Sequence, residues 1–198
     1  MSTLITLLQN TSSLEWACNL TALGCVVFAW RNHVLTWPFA IVSCILFTQL
    51  FMDSKLYAEA VLQVFFIATS AWGWWHWSAQ KHKPAAPMVS TTWPTALVLV
   101  AAASLAGGLY ALGLQRFTDA SSPFWDSQIL TLSMLAQWWL MRRNIACWGL
   151  WLVVNTISVP LYFSRELHVS GAFYAAYWVL AIVSYLHWKP LLDRQHAK

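Results

Sequence analysis

Few polar side chains interrupt the apolar runs of this 198-residue chain, and those few are where binding chemistry has to be sought. Asn155 closes the run Trp148-Gly149-Leu150-Trp151-Leu152-Val153-Val154-Asn155. Helical spacing puts Trp148, Trp151 and Asn155 at i, i+3 and i+7, on one face. Two indoles followed by an amide suit a flat heteroaromatic ligand: the rings stack on it and the amide reads a hydroxyl or carboxamide. The competing reading makes Asn155 interhelical glue and the tryptophans membrane-interface anchors. Gln63, inside Leu62-Gln63-Val64-Phe65-Phe66, and Gln137, shortly before Arg142-Arg143, each face a ligand or tie helices together. Glu59 lies four residues after Lys55, where a local ion pair competes with attraction of a cationic substrate at the mouth. The four cysteines lack metal-ligand spacing and read as small apolar fillers. No zinc-type HExxH, phosphate loop, nucleophile–base set or buried acid pair occurs. The expectation is a binding site with no catalytic residue, metal or cofactor.

The composition says what must hold those residues. The chain is 59% hydrophobic and 9% charged, against about 45–50% and about 25% in soluble domains. Seven acids and eleven bases cannot cover a globular surface of this size. That excludes a soluble enzyme, a nucleic-acid-binding domain and a disordered tail. A net charge of +4, scattered along the chain, points to no polyanionic partner. Apolar stretches of about 20 residues span a bilayer core of about 30 Å. Gaps between charges predict seven such helices, at 14–30, 34–52, 56–78, 92–114, 125–141, 145–163 and 168–188. The alternating pattern of a membrane β-barrel is absent. The predicted class is therefore an all-α integral membrane protein with seven transmembrane helices. Pro38 opens the second, where proline is tolerated, and Pro160 kinks the sixth next to Asn155, a place for a hinge.

One constant offset along the chain superposes Glu15 on Asp126, Arg31 on Arg142, Trp37 on Trp148, Leu56 on Leu167, and His76-Trp77 on His187-Trp188. Helices 1–3 thus repeat as helices 5–7. Helix 4 restores the direction of the second copy, which makes the repeats parallel and puts a substrate site between them near the midplane. Trp37 holds in the first copy the place of Trp148 in the second, and so joins the candidate site. The expected division is an N-terminal segment 1–12, a first bundle 13–80, a linker with helix 4 over 81–123, a second bundle 124–190 and a tail 191–198. Residues Met1–Asn10 lack the basic start of a cleaved signal peptide and read as a frayed end or a short interfacial helix. Arg31, Lys81, Lys83, Arg142, Arg143, Lys189, Arg194 and Lys198 fall on one side, against Lys55, Arg116 and Arg165 on the other. This bias predicts the N-terminus outside and the C-terminus in the cytoplasm.

The stretch from Trp148 to Val159 resembles the WxxWxxxN signature of the PnuC-type vitamin transporters. Phe124-Trp125-Asp126-Ser127, Arg142-Arg143, Leu56-Tyr57-Ala58, Leu62 to Phe66, and Gly73-Trp74 with Trp77 match that family's pattern as well, over about residues 12–190. The resemblance implies a 3+1+3 helix fold akin to the sugar-transporting SWEET proteins, assembled as a homotrimer in the bacterial inner membrane. It implies a facilitator of a nucleoside-like vitamin precursor, nicotinamide riboside first and thiamine or riboflavin in related branches, with a cytoplasmic kinase that traps the substrate. Its pocket implicates Trp148, Trp151 and Asn155, with Gln63. Tyr174, Tyr177 and Trp178 depart from the pattern and either line the pocket or pack on a neighbour, and the N-terminal part is shorter than in some members.

No midspan ionisable group offers a proton or sodium relay, so the expected mechanism is gradient-independent facilitated diffusion by alternating access. Competing classes are the substrate-binding membrane component of an ATP-driven importer, a lipid-modifying membrane enzyme and a sugar facilitator. The indole pair favours an aromatic ring over a bare sugar.

Overall fold

In the computed structural model, residues 12–53, 57–79, 87–117, 123–164 and 168–196 are described; the side chains of Phe51, Asp53, residues 57–61 and His196 lie outside that description. Glu59, Lys55, Lys81, Lys83 and the segment Met1–Asn10 are among the sequence expectations that fall outside it. The described residues form seven α-helices: α1 Ser13–Trp30, α2 Thr36–Asp53, α3 Tyr57–Ala79, α4 Trp93–Phe117, α5 Pro123–Met141, α6 Ala146–Ser164 and α7 His168–His196. Four of them, α1, α4, α6 and α7, are long and apolar enough to cross a membrane by length and composition. Exposed apolar side chains such as Leu105, Leu109 and Leu112 on α4 are what a helix facing hydrocarbon presents.

Each boundary has a local cause. Ser12 caps α1 by accepting the Glu15 N–H at 3.1 Å. The α1–α2 and α5–α6 turns are built alike, residue for residue. Asn32 (φ 51°) and Arg143 (φ 53°) both enter the left-handed region. The N–H groups of Asn32 and Arg143 bond the carbonyls of Ala29 and Leu140, and those of His33 and Asn144 bond Phe28 and Trp139. The next helix is then capped by the ring nitrogen of His33 to Leu35 N–H, or by the amide oxygen of Asn144 to Ala146 N–H. Every pair in that set is related by the same offset that carries Arg31 to Arg142.

One element differs from the sequence expectation. Residues 191–196, expected as a tail, continue α7 past Pro190 to His196. Leu192 is buried there, and the Gln195 side-chain oxygen accepts the Met88 N–H at 2.8 Å. Proline is tolerated because the helix end is tied down by contact. The same strap, residues 87–91, runs beside the α5–α6 turn: Val89 N–H bonds Arg143 O (3.2 Å), Ile145 N–H bonds Val89 O (3.1 Å), and Asn144 bonds Thr91.

Packing follows the chain within each group of three, α1 on α2 and α2 on α3, then α5 on α6 and α6 on α7. Between the groups, α1 meets α7 and α3 meets α5, while α4 packs on α5. A small-residue stripe makes that last contact close: a Cβ at Gly107 would lie 2.7 Å from the Thr131 hydroxyl, and the Gln128 amide donates to Ser104 O at 2.9 Å. Close approach through small residues, with an interhelical amide bond, is how helices associate when lipid removes the hydrophobic incentive.

Candidate functional site

The seam between the two helix groups has two sides, α3 on α5 and α1 on α7. On α3, Gln63, Ser70 and Trp77 recur every seven residues, which keeps them on one stripe of the helix. Ser70 is buried and accepts the Gln137 side-chain N–H at 3.3 Å from α5. Trp77 is buried and donates its indole N–H to Met141 O at 2.9 Å, at the end of α5. Ser70 and Trp77 therefore face the other group, although the apolar majority of both helices would have allowed any rotation.

The other side repeats the arrangement. Trp188 of α7 donates its indole N–H to Trp30 O at 2.9 Å, at the end of α1. The repeat offset carries Trp77 to Trp188 and Trp30 to Met141, so donor and acceptor both occupy equivalent places. Each clasp is backed by a second indole of its own group: Trp37 meets Trp77 edge-on at 5.2 Å and 89°, and Trp148 meets Trp188 at 5.3 Å and 87°. Edge-to-face geometry is the favoured aromatic arrangement and adds about 0.5–1.5 kcal/mol per pair beyond area burial. Farther along the same seam, Tyr177 donates to Asn19 O at 3.2 Å and Trp16 meets Phe173 at 6.0 Å.

The six residues singled out by the sequence fall into three situations. Asn155 is 4% exposed on α6, with Trp151 half-buried one turn earlier on the same stripe. Gln137 lies in the α3–α5 side of the seam, bonded to Ser70, and Gln63 is half-buried on the α3 stripe two turns before Ser70. Trp37 and Trp148 are buried, apart from one another, each against the indole of its own group. Both of their indole N–H groups are buried without an acceptor among the described residues. A buried donor left unpaired costs about 1–3 kcal/mol, so two of them at matching places form a notable exception to hydrogen-bond saturation. Sequence reasoning missed Ser70; its seven-residue spacing from Gln63 and Trp77 was the available signal.

The aromatic residues of α7 bind helices to one another. Tyr174 stacks obliquely on Tyr162 at 4.7 Å, and the Trp178 indole donates to the Thr156 hydroxyl at 3.0 Å. Two open clefts are found among the described residues. One, of about 410 Å³, lies between α3, the 87–89 strap and the end of α5. The other, of about 290 Å³, lies between α6 and α7 and reaches Trp148 and Leu152. The described cysteines are free thiols.

Known proteins resemble the chain over almost its whole length. The family model described as nicotinamide mononucleotide transporter matches residues 12–190. The chain is 27% identical over 200 residues to the nicotinamide riboside transporter PnuC of Escherichia coli strain K12, with 87% of this chain and 83% of that one covered. It is 26% identical over 174 residues to the riboflavin/roseoflavin transporter RibM of Streptomyces davaonensis, with 86% and 81% covered. In fold it is similar to the crystal structure of the vitamin B3 transporter PnuC, with a TM-score of 0.76, 22% identity, and 97% of this chain and 87% of that one covered.

Proposed function

We infer the function from one premise: the chain belongs to the nicotinamide mononucleotide transporter family, whose model spans nearly all of it. It is accordingly a membrane transporter and not an enzyme. Our reading is that it admits a nucleoside-like vitamin precursor, nicotinamide riboside before riboflavin or thiamine, by facilitated diffusion. The observation that supports this most directly is the similarity, over more than four-fifths of both chains, to a relative named for nicotinamide riboside. Riboflavin stays as the second reading because the Streptomyces relative matches at nearly the same identity.

We place the substrate in the seam, with Trp151 and Trp148 as stacking walls, Asn155 and Gln63 as readers of its polar groups, and Gln137 and Trp37 completing the far side. The acceptor-less N–H groups of Trp37 and Trp148 support that placement, since a ligand or water oxygen would satisfy them. The equivalence of the two turns and the two indole clasps supports a 3+1+3 arrangement of parallel three-helix repeats, SWEET-like in kind. In this reading Trp77 and Trp188 hold the His76/His187 end of the seam closed, and release of both bonds opens it. The proposal sets that end in the cytoplasm of a bacterial cell, the N-terminus outside, the assembly a homotrimer, and a cytoplasmic kinase as the trap that makes uptake directional.

Calorimetric binding of nicotinamide riboside, riboflavin and thiamine to the purified protein decides the substrate. Uptake into proteoliposomes decides the mechanism: entry without any ion gradient agrees with facilitated diffusion, and strict dependence on a proton or sodium gradient refutes it.

A further inference from the structure

The cleft of about 410 Å³ beside the α5–α6 turn opens at the end of the α3–α5 side of the seam, away from Asn155 and Gln63, and arginine and indole side chains line it. Arg142, Arg143 and His76 line it together with the indoles of Trp72 and Trp138. The Arg142 guanidinium lies 4.3 Å over the Trp138 ring, and that of Arg143 lies 4.3 Å over the Trp77 ring. A guanidinium stacked on a ring keeps its N–H edge in its own plane, the edge that takes a phosphate in bidentate fashion. Among the described residues, the Trp138 ring is the side-chain group that the Arg142 guanidinium meets.

The internal repeat supplies a control. Under the repeat offset, Arg142 corresponds to Arg31, Arg143 to Asn32, His76 to His187, Trp138 to Val27 and Trp72 to Val183. One copy of the place thus holds two guanidinium groups and two indoles where the other holds one guanidinium and two valines. The exchange at 143 runs against backbone preference. Asn32 at φ 51° is a residue suited to the left-handed region, whereas arginine at φ 53° is not. Partial burial lowers the Arg143 pKa from its ordinary value, yet an arginine stays charged at neutral pH.

We propose that this cleft binds a phosphate-bearing anion, Arg142 and Arg143 holding the phosphate while Trp72 and Trp138 cover the apolar part of the molecule that carries it. An anionic phospholipid headgroup and a soluble phosphate compound share that chemistry. Basic clefts at the membrane surface are used for such headgroups, and Trp72 and Trp138 are both exposed at the cleft edge.

The test uses the full chain, purified and analysed by native mass spectrometry after exchange into phosphatidylcholine or phosphatidylglycerol, with calorimetric titration of inorganic phosphate in parallel. Wild type is expected to retain phosphatidylglycerol over phosphatidylcholine by about tenfold or more, the scale of one charge-assisted hydrogen bond. The double variant Arg142→Gln/Arg143→Asn loses that preference; its asparagine is the residue the first repeat carries at the matching turn, so the backbone is served. Trp138→Val, again the first repeat's residue, keeps both arginines and weakens lipid retention by a smaller factor. Phosphate heat that disappears in the double variant assigns the site to a soluble phosphate; lipid preference without phosphate heat assigns it to the headgroup. Equal retention of the two lipids by wild type with no phosphate heat overturns the proposal, as does a preference that both variants leave unchanged. None of these readouts involves transport, so failure here leaves the proposed substrate untouched.

Discussion

The first three helices and the last three share a plan at the seam and part company at the periphery. At the seam, two turns with a left-handed residue at the equivalent position, two indole-to-carbonyl clasps and two edge-on tryptophan pairs coincide under one offset along the chain. At the periphery, α5 buries nine residues while its counterpart α1 buries three. Among the described residues, α4 covers α5 through its small-residue face, whereas α1 packs on α2 and α7 alone. The strap 87–91 adds to the same imbalance by bonding the α5–α6 turn and the end of α7. The two groups are alike where each meets the other, whereas their outer faces meet different neighbours.

That comparison can be broken most severely at the clasps. Trp77→Ala and Trp188→Ala each remove a buried indole, and large-to-small changes of this kind cost about 3–5 kcal/mol, much of it from the cavity left behind. Thermal unfolding in detergent should show two similar losses; a severe loss for one and a mild one for the other would contradict their equivalence. Gly73 and Ser184 occupy matching places with different clearance. A Cβ at Gly73 would sit 2.7 Å from the Trp37 ring, so Gly73→Ser should cost about 1–3 kcal/mol by overpacking. Ser184→Gly should be milder, and the same melting experiment compares them.

The proposed site is not symmetric either, since Asn155 corresponds to Cys44. Asn155→Ala is expected to weaken nicotinamide riboside binding about tenfold, near 1.4 kcal/mol, which is the upper range for one hydrogen bond. Cys44→Ala should leave it within about twofold, a difference of a few tenths of a kcal/mol of the kind ordinary substitutions produce. Equal affinity for Asn155→Ala and wild type in calorimetry would return Asn155 to the role of interhelical glue. Smallest in stability are Trp77→Phe and Trp188→Phe, which keep a ring and delete the donated N–H, for about 1 kcal/mol each. In the proposed mechanism they loosen one end of the seam, so cysteine labelling of that end should rise in both.

Much of this was legible in the sequence, for identifiable reasons. The helices could be read off because charge gaps of bilayer length leave few alternatives, and observed boundaries such as Ser13–Trp30 and Ala146–Ser164 lie within two residues of the predicted 14–30 and 145–163. The repeat was legible because tryptophan, arginine and histidine landmarks keep their spacing even when the apolar filler between them changes. The partners of those landmarks were not. That Trp77 bonds Met141, or that Ser70 receives Gln137, depends on helix rotation, and a helix that is apolar nearly all round carries too weak an asymmetry to fix it.

The extent of α7 shows the same limit from another angle. Lys189-Pro190 read as an end, yet the helix runs on to His196, where Leu192 is buried and Gln195 bonds Met88 of the strap, 107 residues earlier. The sequence by itself determined the solvent, the seven helices found among the described residues and the spacing of the landmarks that recur in the first and last three, since composition and spacing along the chain are local quantities. Only the tertiary structure decided which indoles clasp, which donors stay unpaired and which copy of the turn opens into a basic cleft, because each depends on what a distant segment brings alongside.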